Sequence, residues 1–528
     1  MSIQDKDRVL TAKGYAIKKS YLDEVQTAGL RSELTMCPKV MGNFQKDVNS
    51  FPIYYESKTR FYVPRHWGIK KFGEPEADIV SEGLPISDEV SLNPKFSPHD
   101  FQKDIIDTFI ERKANGLICV PCGYGKTFMA LNIAVRLKRK FLIVVDKEFL
   151  MNQWKSEIEN FIIGAKVGIL QGSTCQIGCE LIYDKELTLP ELKEKARTAK
   201  LKVTGTRDVL IQRLEEAGID TKPKARKVEY DVSICMIQTV CRQEFPEGFF
   251  SDYGFTIFDE CHHLGAAYFC QALRKIQTKY MLGLSATPDR EDGLSAVFEY
   301  HLGDPVYKMT KRAPDKEAVV KAVWFDSEDP AYKEVPVNWR GEPITAKLLN
   351  QIADFEPRNK KIMELVEEYC KDVDRFLLIL SDRISQLEWF EEALKKTDYK
   401  FGYYIGGMKQ AVLDENADKC QILLATYQMA SEAFSVKKLN TVILATPRKN
   451  VEQSTGRIFR QRIDERKVAP HIIDIVDSHD CYKRRWFIRK RFYKECQYTF
   501  QHIDKPSRIQ EKVEANEHGC LLKLPGSS

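Results

Sequence analysis

The chain has 528 residues and a formal net charge of +5, from 81 Lys and Arg against 76 Asp and Glu, with 43% hydrophobic and 11% aromatic residues. That length allows about three or four domains, and the apolar content excludes wholesale disorder. No run of about 18 or more apolar residues occurs, so no transmembrane helix is implied, and the polar, mixed-charge start lacks the apolar segment of a signal peptide. An intracellular protein, nuclear or cytoplasmic, is expected. The small net charge neither demands nor forbids a nucleic-acid partner, so the placement of the basic residues matters more than their sum. The 14 cysteines are too sparse for an oxidised secreted scaffold, and no second ligand pair adjoins Cys175 and Cys179, so reduced, mostly buried thiols are expected rather than zinc.

Residues 1–94 read as a small N-terminal α+β module, with aromatic strand-like stretches at 51–55 and 60–64 split by a polar turn. From about residue 96, continuous apolar runs at 117–120, 141–145, 167–170, 232–237, 255–258 and 281–284 are separated by helix-like segments. This is the pattern of a parallel α/β sheet buried on both faces, and it predicts a first domain over 95–311. A second set, at 375–380, 401–405, 422–425, 442–444 and 472–476, predicts a second α/β domain over 358–504, after a proline-containing connector at 312–357. The polar 505–528 reads as a loose tail.

Residues 187–221 break the rhythm of the first domain. Leu189, Leu192 and Ala196, then Val209, Leu210 and Leu214, fall at helical spacing. Pro190 sits early in the first helix and Gly218 follows the second, so two short helices inserted in a surface loop are predicted.

Four motifs carry chemistry. Pro121-Cys122-Gly123-Tyr124-Gly125-Lys126-Thr127 lies between the strand 117–120 and the helix-like 128–137, the context of a phosphate-binding loop. Its glycines let backbone N–H groups curl around phosphates, Lys126 reaches the β/γ-phosphates, and the Thr127 hydroxyl can ligate Mg²⁺. The full phosphate-loop pattern is not met, because Val120 stands at its first glycine position. Asp259-Glu260-Cys261-His262-His263 follows the strand 255–258. Asp259 there would hold Mg²⁺ and Glu260 would orient and deprotonate the attacking water. Ser285-Ala286-Thr287 ends another strand, and its hydroxyls can sense the nucleotide. In the second domain, Arg457 and Arg460 of the Gln453–Gln461 segment are spaced i, i+3, so on one helix they would share a face and could complete the γ-phosphate site.

In this order the four motifs resemble superfamily 2 helicases and translocases, over about 96–500. The resemblance implies two tandem RecA-like domains, an ATP hydrolase with ATP and Mg²⁺ as cofactors, Gln102 as the adenine contact, and His262, Ser285, Thr287 and Gln453 as coupling residues. It also places 146–154 and 237–239 on a nucleic-acid track. The phosphate loop and Arg290-Glu291-Asp292 are similar to the XPB-like branch, which includes helicases of large DNA viruses such as the poxviral transcript-release helicase. The Asp-Glu-x-His form argues against a DEAD-box RNA helicase. The insert resembles a SAP domain at Leu192-Lys193, Leu201, Gly205-Thr206-Arg207, Leu210-Ile211 and Arg213-Leu214, which implies duplex-DNA binding, with Arg207 and the basic run Lys222, Lys224, Arg226 and Lys227 as phosphate contacts. A solvated helical hairpin without a ligand is the alternative.

The expected function is an ATP-dependent DNA helicase or translocase acting on duplex and single-stranded DNA, with RNA and the transcription machinery as further partners. An ATP-gated duplex clamp and a transcript-release factor that does not unwind are the alternatives. A viral member would work at the host-cell replication site or in the virion. The basic and aromatic stretch 482–494 has two readings that stay open here: stacked bases on a nucleic-acid backbone, or the buried stripe of a helix.

Overall fold

A computed structural model describes residues 6–39, 50–121, 123–183, 187–221, 225–290, 292–309, 314–432, 436–461 and 463–505. Cys122, Lys222, Lys224, Glu291 and residues 506–528 lie outside the described residues, as does the Arg226 side chain. Two compact units are formed, one from the chain up to Ile118 with Thr127–Val306, the other from Cys119–Lys126 with the chain from Tyr307 onward.

The first unit contains most of an eight-stranded sheet in the order 174–175, 167–171, 232–236, 141–145, 255–258, 280–285, 115–119, 305–308. The strands from 167–171 to 280–285 run parallel, and the edge strand Thr174–Cys175 is antiparallel. Phe141–Val145 is buried along its whole length, as a strand covered by helices on both faces must be. The second unit holds a parallel sheet of seven strands, in the order 401–404, 422–426, 377–381, 441–444, 471–477, 319–325, 499–503. The protein is therefore α/β, with two large, mainly parallel sheets.

The expected connector at 312–357 needs correction. Val319–Phe325 is a strand of the second sheet, paired with both His471–Asp477 and Thr499–Ile503. Its helical neighbour Thr345–Asp354 buries Leu348 and Ile352 against Tyr332 and Phe355. Lys321 interrupts the apolar run of this strand, and its ammonium lies 4.8 Å from the centre of the Tyr369 ring, where a cation is tolerated.

The N-terminal residues form a five-stranded sheet whose strands include Arg8–Thr11, Gly14–Lys18 and Arg60–Val63. They do not stand apart as an independent module. Arg65, 3% exposed, donates to the Thr278 and Lys279 carbonyls and to Asn115, and Ser91–Leu92 pairs with Ile162–Ile163. A buried guanidinium is retained only where it is hydrogen-bonded, and those bonds tie this region into the first unit.

The inserted segment forms helices Leu189–Thr198 and Arg207–Glu216, closed over a cluster of Leu192, Ala196, Leu210 and Leu214. A reciprocal capping box of Thr188 and Glu191 starts the first helix. The helices stand on a two-stranded antiparallel ribbon, Cys179–Tyr183 with Ala225–Glu229, so the end of the basic run is a strand rather than a loop.

Two histidines, the buried His301 and the half-buried His66, make the first unit acid-sensitive. Burial holds His301 down to about 4 and His66 down to about 3. Both stay neutral in the fold, whereas the unfolded chain takes up protons below about pH 6.5. Stability is therefore lost as the pH falls from about 6.5 toward 4, by up to about 1.4 kcal/mol per pH unit for each residue. In urea unfolding of the full chain, His301→Gln is expected to lose about 2 kcal/mol less than the parent between pH 7 and pH 5. Equal losses would contradict this assignment.

Candidate active site

The phosphate loop leaves strand Asn115–Cys119, which neighbours Tyr280–Ser285 in the sheet. Val120 and Pro121 are buried, and Gly123 and Gly125 have φ of +91° and +78°. A side chain at either position would be strained, so glycine is required there. Helix Lys126–Leu137 then begins with Lys126 and Thr127 in its first turn. Turning backbone followed by a helix N-terminus presents N–H groups to an anion. Tyr124 is half-buried. Gln102 is buried in helix Asp100–Glu111, where its Oε1 accepts from the His99 N–H at 3.0 Å.

The acidic motif is held by groups remote in sequence. One Asp259 carboxylate oxygen, Oδ2, accepts from the Trp154 indole Nε1–H at 2.7 Å, and the other, Oδ1, accepts from the Glu260 backbone N–H at 2.9 Å. Trp154 is 2% exposed in helix Glu148–Phe161. Glu260 itself is left-handed, with φ +42° and ψ +49°, a conformation that costs a residue bearing a Cβ about 1–2 kcal/mol. Strain of this kind collects at sites that need a side chain aimed in one direction.

Beyond Glu260 the chain turns through the short helix Cys261–Gly265. His262 Nδ1 lies 3.4 Å from the Glu260 carboxylate and 3.1 Å from Ser285 Oγ. Ser285 Oγ also accepts from the Thr287 N–H at 3.1 Å. A continuous path therefore runs from Glu260 through His262 to Ser285 and Thr287. Arg290 donates to the His262 carbonyl and forks onto Asp292 at 2.9 and 2.5 Å, which clamps this turn from outside. His263 is hydrogen-bonded to Asp146 at 2.7 Å. Burial opposes the Asp146 charge, but the His263 bond and the nearby Lys147 outweigh it and hold the carboxyl below its ordinary value. Sequence reading missed Trp154 and the Asp146–His263 pair as supports of the acidic turn. Only the adjacency of two histidines to the acidic pair hinted at the second.

In the second unit, the arginine motif departs from expectation. Helix Glu452–Thr455 ends after four residues and passes into a 3-10 turn, Gly456–Ile458. Arg457 lies in that turn and Arg460 beyond it, so they do not share a face of one helix. Arg457 is 5% exposed and its Nε donates to the Ala430 carbonyl, a contact that fixes the tighter turn. Gln453 is half-buried in the short helix. In the insert, Arg207 is exposed and donates to the Leu187 carbonyl at 3.3 Å, and Lys227 pairs with Glu229 at 2.7 Å. Lys200 and Lys202, in the loop between the two helices, are exposed cations that the sequence reading left out.

The open reading of 482–494 resolves into helix Asp480–Glu495 with Tyr482, Trp486, Arg489 and Tyr493 buried. Arg489 forks onto Asp474 at 2.8 Å. Trp486 is thus a core residue, while Phe487 is 45% exposed.

Residues 95–290 match the family described as type III restriction enzyme, res subunit. A candidate ATP-dependent RNA helicase of Acanthamoeba polyphaga mimivirus is 28% identical over 516 residues, 96% of this chain and 88% of the relative. A candidate ATP-dependent RNA helicase of African swine fever virus is 26% identical, over 79% of this chain and 77% of its own length. The DNA 3'-5' translocase XPB2 of Sulfurisphaera tokodaii is 26% identical over 47% of this chain and 42% of its own. The chain is an ATP-dependent helicase. It is accordingly an ATP hydrolase, related to helicases of large DNA viruses, and among its described residues no helix is long and apolar enough to cross a membrane.

The Trp154 bond to Asp259 can be removed without emptying its site. Trp154→Phe keeps an aromatic ring but deletes the donor. The helicase is expected to lose about 10–100-fold in ATP turnover with little change in its unfolding midpoint. Unchanged turnover would remove Trp154 from the support of Asp259.

Proposed function

We propose that this helicase is a DNA-directed motor of the XPB-like branch, in which ATP hydrolysis drives movement along or separation of DNA. ATP would be held by the backbone of Pro121–Gly125, with Gln102 on the adenine, Lys126 on the β/γ-phosphates, and Arg457 and Arg460 supplying cations to the γ-phosphate. Glu260 would orient and deprotonate the attacking water. The observation that carries the reading is the acidic turn: a carboxylate fixed at both oxygens beside a glutamate held in a strained backbone conformation. Such an arrangement pre-positions a charge and a base before substrate arrives, as phosphoryl transfer requires.

The donor set suits Mg²⁺. Thr127 offers a hydroxyl and Asp259 a carboxylate, both hard oxygens. No group of three or more His, Cys, Asp or Glu able to hold a metal alone occurs among the described residues. These residues fit an ion held jointly with phosphates and water. When bound, Mg²⁺ would neutralise phosphate charge. His262, bridging Glu260 and Ser285, would report the nucleotide state through Ser285 and Thr287 to the nucleic-acid track.

The insert supports DNA as the substrate. Its two helices, their shared apolar cluster and the glycine-containing link resemble those of a SAP domain, and the exposed Lys200, Lys202, Arg207 and Lys227 would meet phosphates without reading sequence. Docked duplex would be kept near the motor at raised effective concentration. RNA is the second reading, favoured by the names of the mimivirus and African swine fever virus relatives.

ATP turnover measured with single- and double-stranded DNA and RNA separates these readings. Duplex DNA is expected to stimulate most, and Lys126→Ala to abolish turnover with every nucleic acid. Deletion of 187–221 is expected to weaken duplex binding and flatten its dependence on salt. Stimulation by RNA alone, or an unchanged salt slope after the deletion, would reject the DNA-tethered form of the proposal.

A further inference from the structure

Of the six tryptophans, four are buried, at 1–5% exposure for Trp67, Trp154, Trp324 and Trp486, and Trp389 is half-buried. Trp339 is 86% exposed. It sits at the tip of a tight turn in the second unit, where Val337 and Pro343 form an antiparallel bridge. Val335, Val337 and Trp339 alternate along the leading arm, all exposed, at 39, 54 and 86%. An extended chain puts Val335 and Val337 on one side, so the arm presents an apolar edge, and the turn beyond it exposes the indole.

The turn is built to be rigid. Asn338 Oδ1 accepts from the backbone N–H groups of Arg340 and Glu342 at 2.9 and 3.0 Å, and its Nδ2 donates to the Glu342 carboxylate at 2.9 Å. The Asn338 N–H donates to the Glu342 carbonyl at 2.8 Å, and the Ile344 N–H to the Pro336 carbonyl at 2.7 Å. Gly341 turns at φ +77°, which glycine alone adopts freely.

The base is anchored as well. Gln351 Nε2 donates to the Tyr332 and Glu334 carbonyls at 3.0 and 2.8 Å, and Tyr332 is fully buried with its hydroxyl on Asp477 at 3.0 Å. The Arg340 guanidinium lies 4.3 Å from the Trp339 ring centre. It covers one face of the indole, and the high exposure leaves the other face to solvent.

A rigid, solvent-facing aromatic loses little conformational freedom on binding, and every nucleobase has a face that can stack on it. A cation fixed beside the ring supplies a partner for the adjoining phosphate. No group at the tip would distinguish one base from another. We infer that Trp339 and Arg340 form a base-stacking platform for single-stranded nucleic acid, with one unpaired base on the open face of the indole and its phosphate near the guanidinium. The inference rests on the helicase acting on nucleic acid, as proposed above, and adds a contact that none of the motifs contains.

The test uses the full chain without nucleotide, and labelled oligo-dT and oligo-U of about 16 nucleotides beside a blunt DNA duplex. Trp339→Ala is expected to weaken single-strand binding by about 5–150-fold, the range that stacking one base provides. Duplex affinity should be unchanged, as should ATP turnover without nucleic acid. Trp339→Phe keeps a stacking ring and should retain most of the affinity, while losing the quench of intrinsic emission that the oligonucleotide causes in the parent. Arg340→Ala should weaken single-strand binding and lower its salt dependence.

Unchanged single-strand affinity in Trp339→Ala, with the parent still bound and stimulated by nucleic acid, would overturn the platform alone and leave the turn to a protein partner. Equal losses in Trp339→Phe and Trp339→Ala would also overturn it. A parent chain that neither binds nor responds to any nucleic acid would overturn the proposed function and the platform with it.

Discussion

The Trp154 indole N–H on Asp259 is the contact on which the acidic turn depends. It pins one carboxylate oxygen, and the Glu260 backbone N–H takes the other. With both oxygens occupied, Asp259 has one orientation, and the following peptide is drawn into the left-handed region at Glu260. That backbone conformation costs about 1–2 kcal/mol, and the cost is offset by the surrounding contacts. His263 on Asp146 and Arg290 on the His262 carbonyl fix the turn after Glu260 from two sides. The outcome is a pre-organised pair of acids at the end of a buried parallel strand, where the crevice of an α/β sheet opens.

The second unit uses buried charge in a related way. Arg358 forks onto Asp477 with both residues fully buried, and Arg489 forks onto Asp474. Each pair joins a helix to the same strand, His471–Asp477. Paired charges of this kind add little net stability over apolar residues, but breaking one leaves an uncompensated charge, which costs about 3–5 kcal/mol. They therefore specify register more than strength. Tyr332, bonded to the same Asp477, extends this frame to the base of the Trp339 turn.

Much of the strand pattern was legible because strands buried on both faces must be continuously apolar. The runs at 141–145 and 255–258 coincide with the observed strands. Val319–Phe325 was hidden because Lys321 breaks its apolar run. The arginine pair was misplaced because i, i+3 spacing implies a shared face only while the helix continues, and here it ends before Gly456. Lys126, Thr127, Asp259 and Glu260 stood out because local motifs carry them. Trp154 did not, because its partner is 105 residues away and nothing local marks an indole as a donor to a carboxylate. The Trp339 turn was silent for another reason: exposure is not written in sequence, and a tryptophan among prolines and valines reads equally well as core.

We propose that the strained turn holds Glu260 as the base of ATP hydrolysis, a role separable from nucleotide binding. The direct measurement compares ATP affinity and single-turnover hydrolysis in Glu260→Gln with the parent chain, in the presence of Mg²⁺ and nucleic acid. ATP affinity is expected to be preserved and hydrolysis to fall by about 10²–10⁴-fold, the usual contribution of a positioned base. Hydrolysis at the parent rate in Glu260→Gln would contradict it.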